Sequence, residues 1–546
     1  MTYTSLLFAL FACITILIYF AFPRREYRWT VLLAASYFFY IYNSYRYMAF
    51  ILVTTVTVYL AGRKLEDISE KASAELKANK GTWDREEKKA FKRRTETKKK
   101  RLLAATLVLN FGILFVIKYL NFLAGGLMHL LGSPAQDVQI ISIILPLGIS
   151  FYTFQATGYL IDVYRGTAEA EKNFFRFALF VSFFPQIIQG PISSFSKLHH
   201  QLIEPHDPDW LNFKHGVMII TWGLFKKLVI ADCAWIGIKA YYDNGGINGT
   251  PEFAGYGGTM VLFISLMYAL QLYADFSGGI DISRGICRIL GIDLEMNFRQ
   301  PYFSKSIGEY WRRWHITLGA WMKNYVFYPV AMSELSRKIS KAIADSSFGK
   351  TAAGKHLAKV FTTGMASFIV FLLVGIWHGA NSKYIAFGVW NGFIIMLSAM
   401  LEPVYDRMRR ALHINKEAAW WKLFQMLRTF VIVLIGYIFD IADSFTNAMQ
   451  MMFRIVTDQN MSVFREQLAT LGMRRMAFLT LMFSSVILLY MSIRLERTSL
   501  DTPAELLERR SGLIQWIALF GLIMIVLVLG TYGPAVDPAE FVYMQF

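Results

Sequence analysis

QLYADFSGGIDISRGICRILGIDLEMNFRQPYFSKSIGEYWRRWHITLGAWMKNYVFY, residues Gln271–Tyr328, is the stretch on which the reading of this chain turns. Long apolar segments flank it on both sides. Between them stand Asp275, Asp281, Arg284, Arg288, Asp293, Glu295, Arg299, Lys305, Glu309, Arg312, Arg313, His315 and Lys323. Charges this dense between membrane spans are costly unless they sit at an interface, line a cavity or take part in chemistry. A second polar interruption, Gly375-Ile376-Trp377-His378-Gly379-Ala380-Asn381, ends another apolar run. The expectation is that these two histidine-bearing stretches form one reaction centre inside a membrane.

Working outward, 55% of the 546 residues are apolar and the mean hydropathy is +0.38. Soluble globular proteins have roughly 45–50% apolar residues. The excess falls in blocks of about 17–25 residues, the length that crosses a bilayer as a helix. The fold class expected is all-α and polytopic, with about 11–14 membrane helices including re-entrant segments. One membrane domain over residues 1–546 is expected rather than several soluble ones. The net charge of +17 lies in loops between spans. The positive-inside rule and surface lipid account for it without nucleic acid. The three cysteines, Cys13, Cys233 and Cys287, form no CxxC pair, which supports neither a disulfide framework nor a thiolate metal site. Met1–Phe22 lacks a basic start and a small-residue cleavage site, and reads as a retained first span.

Three spans, near Ser5–Ala21, Trp29–Tyr42 and Tyr47–Ala61, precede Arg63–Arg101, which holds 15 Lys/Arg against 8 Asp/Glu. This basic insertion reads as a solvated helical hairpin on the cytoplasmic side, which puts the N-terminus outside. It is either an insertion without catalytic part or a dock for a partner or anionic lipid. Pro185 and Pro191 imply kinks or an early helix end in the span from about Phe174. His199, His200, His206, Asp207 and Asp209 resemble a metal cluster, but no helical His pair is present and Pro205 and Pro208 interrupt them. No metal is expected. The span Thr259–Ala274 should end where the charges begin, with discontinuous helices following. Basic loops at Ser333–Lys359 and Asp406–Lys422 should face the cytoplasm, so Phe361–Trp377 rises away from it. His378 is therefore expected at a different depth from His315, which stands among basic residues.

In a continuous helix, Trp311, His315 and Leu318 share one face, as do Arg312 and His315. A histidine can be neutral at pH 7 inside a membrane domain and serve as a base. It can equally bond a carbonyl and lock a bend. Arg312 and Arg313 suit a phosphate or carboxylate, or serve as interface anchors. His378 ends its apolar run between Gly375 and Gly379, which permit close approach of a backbone or substrate. Asn381 is near enough in sequence to orient it or to donate to an oxyanion. No GxSxG elbow, HxxxD, Walker A loop or dinucleotide fingerprint accompanies these histidines. The reaction class must suit a histidine base with little other apparatus, and acyl transfer from an activated thioester fits.

Several stretches together resemble the bacterial membrane-bound O-acyltransferases: LPLGISFYTFQATGYLIDVYRG (Leu145–Gly166), FFPQIIQGPI (Phe183–Ile192), YADFSGGIDISRGICRILGIDLEMNF (Tyr273–Phe298), YWRRWHITLGAWMKNYVFYP (Tyr310–Pro329) and VGIWHGANSKYIAFGVWNG (Val374–Gly392). They cover a core of residues 145–392, and the ending FVYMQF (Phe541–Phe546) also looks like the family's. The branch is that of the alginate O-acetylation membrane subunit, more distantly that of teichoic-acid D-alanyl transfer. The resemblance implies a many-helix fold around a central tunnel in the bacterial cytoplasmic membrane. It implies a cytoplasmic acyl donor, acetyl-CoA or another thioester, as co-substrate with no permanently bound cofactor. The motif histidines map to His315 and His378. Asp275, Ser277, Asn297, Arg312 and Arg313 fall in matching positions, and Trp314 and Trp377 precede the two histidines. Lys323-Asn324 stands where alginate-type relatives often have Arg-Asp, and Gly319-Ala320 where small polar residues are usual. The resemblance also implies an extracytoplasmic O-acetyltransferase partner and a polysaccharide acceptor. Two other readings compete: D-alanyl transfer from a carrier protein to teichoic acid, and a proton-coupled transporter of polysaccharide or lipid-linked sugar.

Overall fold

The computed structural model describes residues 1–131, 146–243 and 256–532, all-α apart from one isolated backbone bridge. The terminal FVYMQF lies outside them. Eight helices among the described residues are long and apolar enough to cross a membrane, and Leu6–Ala21 and Phe174–Ile187 are shorter apolar helices. The protein is a polytopic membrane protein. Its described residues group into two units, Met1–Val217 with Ser283–Glu295, and Met218–Ile282 with Met296 onward.

In the first unit the helices Leu6–Ala21, Arg28–Ser44 and Met48–Ala78 follow the apolar blocks. The basic insertion does not interrupt the helices on either side of it. Met48–Ala78 runs out of its apolar part into the charged segment, and after a short turn Arg85–Leu130 runs back as a single helix of 46 residues. At 1.5 Å per residue that is ~69 Å, twice what a bilayer core needs. The expected hairpin is present, built from extensions of two spans. The span from Phe174 stops at Ser182, and Phe183 turns the chain into a single helical turn with Pro185 near its start.

The polar loop with three histidines also belongs to this unit. Among the described residues no group of three His, Cys, Asp or Glu is placed to hold a metal. His199 Nε2 lies 2.5 Å from Glu171 Oε2, and His206 Nε2 bonds the Gln201 carbonyl at 2.7 Å. Asp207 pairs with Arg25, and Arg28 donates to the His206 carbonyl at 2.6 Å. The loop is tied down by the basic turn after the first helix. Burial pushes the Glu171 carboxyl up, but the His199 contact, the Asn173 amide and nearby positive charge outweigh it and hold the group below the usual glutamate value.

One helix departs from expectation. The helix beginning at Gly258 does not end at Ala274; it continues unbroken to Ile289. Its charges are met by side chains from another segment, described below. That segment, Phe225–Ala231, is a π-helical stretch between Trp210–Leu224 and Asp232–Asp243. The long helices Ala352–His378 and Ser382–Met400 form a tight hairpin. A Cβ on Gly388 would stand 2.5 Å from the Phe371 carbonyl oxygen, and one on Gly375 2.3 Å from that of Tyr384. Only glycine admits this approach.

Candidate active site

The chain between Ile289 and Ala352 is broken into short helices, and His315 sits at one of the breaks. Ile307–Arg313 ends at Trp314, and Ile316–Met322 begins after His315. His315 has φ +47° and ψ +53°, the left-handed region that costs a non-glycine residue about 1–3 kcal/mol. The helical face shared by Trp311, His315 and Leu318 therefore does not exist. A short antiparallel brace holds the break. Phe298 pairs with Trp314, the Arg299 amide donates to the Arg313 carbonyl at 3.0 Å, and the Ile316 amide donates to the Asn297 carbonyl at 3.0 Å.

Asn297, almost wholly buried, finishes the arrangement. Its Oδ1 accepts from the Thr317 amide at 3.0 Å and the Thr317 hydroxyl at 2.9 Å, and faces His315 Nδ1 at 3.3 Å. A backbone N–H only donates, so the atom facing it is the amide oxygen. An oxygen acceptor toward Nδ1 makes Nδ1 the protonated nitrogen of a neutral ring and leaves Nε2 as the basic one. The Phe276 and His315 rings form a T-shaped pair, with centroids 4.8 Å apart and planes at 85°. Trp314 is buried among Phe298, Tyr310, Tyr302 and Tyr437.

His378 is the last residue of its helix and is 9% exposed. The Trp377 ring lies 5.2 Å from His378 and 6.3 Å from His315. The two histidines therefore border the same aromatic ring. Asn381 does not turn toward His378. Its Oδ1 caps the next helix through the Lys383 amide at 3.0 Å, and its Nδ2 donates to the Asp443 carbonyl at 3.2 Å. Lys383 Nζ donates to the carbonyls of Asp440 and Ala442 at 2.9 and 2.7 Å. Both side chains therefore pin the turn after His378 onto the end of the helix Ala419–Ile441.

The two arginines separate. Arg313 is gripped by Glu496 through two bonds at 2.7 and 3.0 Å and by Glu309 at 2.7 Å, which leaves little of its guanidinium for a donor phosphate. Arg312 is exposed. Asp275 and Ser277 accept from lysines, from Lys227 Nζ at 2.7 Å and Lys226 Nζ at 2.8 Å. Lys226, Lys227 and Thr317 are absent from the sequence-based set. Two adjacent lysines inside the apolar run Phe213–Ala231 were the available signal for the first pair; none marked Thr317.

In a multi-pass membrane protein, His315 and His378 are thus two buried imidazoles beside one tryptophan, and Asn297 orients the first of them. The model of MBOAT, the membrane-bound O-acyltransferase family, matches residues 170–344. The chain is 30% identical over 534 residues to the probable alginate O-acetylase AlgI of Pseudomonas putida, covering 96% of this chain and 95% of that one. It is 28% identical to the peptidoglycan O-acetyltransferase of Helicobacter pylori, over 78% of this chain and 72% of that one. It is 27% identical to the teichoic acid D-alanyltransferase of Streptococcus thermophilus, over 54% and 67%. The chain belongs to the membrane-bound O-acyltransferase family, and it is an acyltransferase.

Proposed function

We propose that the chain takes an acetyl group from acetyl-CoA on the cytoplasmic side and passes it across the membrane for O-acetylation of a cell-envelope polysaccharide. The observation that carries this reading is the histidine pair against Trp377, with His315 oriented by Asn297. The acceptor hydroxyl gives its proton to His378, assisted by His315, as its oxygen attacks the thioester carbonyl carbon. The C–S bond then breaks, and the proton is returned to the CoA thiolate. Arg312, with its free exposure, is the arginine that serves the donor's phosphates. A separate extracytoplasmic O-acetyltransferase then moves the acetyl group from the ester of this first acceptor to a polysaccharide hydroxyl, and the first hydroxyl is regenerated. The orientation follows the positive-inside rule, with Arg63–Arg101 cytoplasmic and the N-terminus outside the bacterial inner membrane.

D-alanyl transfer is the second reading, and the teichoic-acid relatives favour it. Those matches span 54% of this chain, against 96% for the alginate relative. Proteoliposomes supplied with acetyl-CoA or a D-alanyl thioester separate the two. The acetyl reading predicts CoA release from acetyl-CoA and no turnover of the aminoacyl donor. The reverse pattern rejects it.

A further inference from the structure

Behind the histidine lies a buried charge network. Lys227 Nζ sits 2.7 Å from Asp275 and 2.8 Å from Asp232; Lys226 Nζ sits 2.8 Å from both Asp281 and Ser277 Oγ. Lys226, Lys227, Asp232 and Asp275 are each at most 3% exposed. Groups of this kind are an expensive way to hold helices together, since apolar residues of similar volume often stabilise as well or better. Their arrangement answers a different need. Asp275 and Ser277 flank Phe276, one at each side of it on the helix. With 100° between successive residues, both lean away from the Phe276 face. Phe276 packs on His315 as a T-shaped pair with ring centroids 4.8 Å apart, while the opposite side of the same helix is held at two points by adjacent lysines.

We propose that Lys226 and Lys227 are positioning residues for His315: straddling the helix at Asp275 and Ser277, they fix its rotation so that Phe276 keeps the imidazole in place. The local backbone is built for this. The π-helical stretch Phe225–Ala231 sends neighbouring lysines to neighbouring partners on one helix. Gly223 and Gly278 let the two segments touch, for a Cβ on Gly223 would stand 2.6 Å from the Gly278 carbonyl oxygen. Side-chain tips lie about 5–6 Å from a helix axis, so a rotation of ~10° carries the Phe276 ring ~1 Å. A displacement of that size at a reacting group costs about 10²-fold in rate. The inference rests on the reading of His315 as part of the reaction centre.

The test uses full-length protein in lipid nanodiscs, acetyl-CoA as the probe, and 4-fluorophenylalanine at position 276 as a second readout. In Lys226→Met and Lys227→Met, kcat is expected to fall about 10²-fold while KM for acetyl-CoA stays within about threefold, and Lys→Arg recovers most of the rate. The single fluorine resonance of the parent shifts or splits in the Met variants. If Lys227→Met does not fold, Lys227→Met/Asp232→Asn/Asp275→Asn, which also removes the two carboxylates that Lys227 pairs, replaces it, with the same expectation. A folded variant with unchanged kcat overturns the proposal, as does a lost rate with an unmoved fluorine resonance. Failure of the parent to turn over acetyl-CoA would count against the acetyl reading instead. The fluorine signal then decides the positioning role alone.

Discussion

Asn297→Ala removes the one atom on which three donors of the His315 turn converge. The Thr317 amide at 3.0 Å, the Thr317 hydroxyl at 2.9 Å and His315 Nδ1 at 3.3 Å all lose their acceptor in a buried place. Each bond lost costs about 0.5–1.5 kcal/mol net. The left-handed His315 backbone, itself strained by ~1–3 kcal/mol, loses part of what holds it. We expect a net loss of about 2–4 kcal/mol in stability. Activity should suffer more, about 10²-fold in kcat, because the ring loses the contact that fixes its tautomer and direction. Thr317→Val removes only one of the three donors and should cost about 1 kcal/mol with little effect on rate. Thermal melting by fluorescence-detected gel filtration and acyl turnover in lipid give the two quantities. A folded Asn297→Ala protein with the parent kcat would refute the orienting role.

The left-handed backbone at His315 also sets an order between two inactive variants: His315→Gly should melt above His315→Ala, by about 1–2 kcal/mol, since both lose the ring and only alanine keeps the strain. Equal melting would remove the strain argument. Gly388→Ala should shift the Phe371 segment or the hairpin itself, with a loss of roughly 1–3 kcal/mol and reduced turnover, read by the same melting assay. Glu171 titrates below the ordinary glutamate value in the folded protein, so its pairing stabilises at pH above the unfolded value. That contribution is lost as pH falls through the lower folded value. The acid limb of melting temperature against pH should flatten in His199→Phe, and an unchanged limb would refute the pairing.

The ends of the helices were legible where composition changes, and less so where a charge is met from far away in the chain. Arg63–Arg101 announces a hairpin because charge begins at Arg63 and ends at Arg101, although leaving the apolar zone does not stop a helix. The expected span stops at Ala274, before the charges, yet the helix continues to Ile289 because Lys226 and Lys227 neutralise Asp281 and Asp275 across ~50 positions of chain. No local pattern encodes such a pairing. The break at His315 is equally hidden: neither glycine nor proline lies between Trp311 and Leu318, and the brace from Asn297–Arg299 that imposes it is a tertiary contact. Motif resemblance located Asn297, Asp275 and Ser277. The contacts then divided them between the imidazole and the lysines, and moved Asn381 and Arg313 from substrate roles to structural ones.

The most direct measurement is acetyl-CoA turnover by His378→Ala beside the parent protein in the same lipid, with melting temperature recorded for both. A folded variant is expected whose kcat falls by at least about 10²-fold, the share a positioned acid–base group contributes. A folded His378→Ala protein that transfers acetyl groups at the parent rate would contradict it.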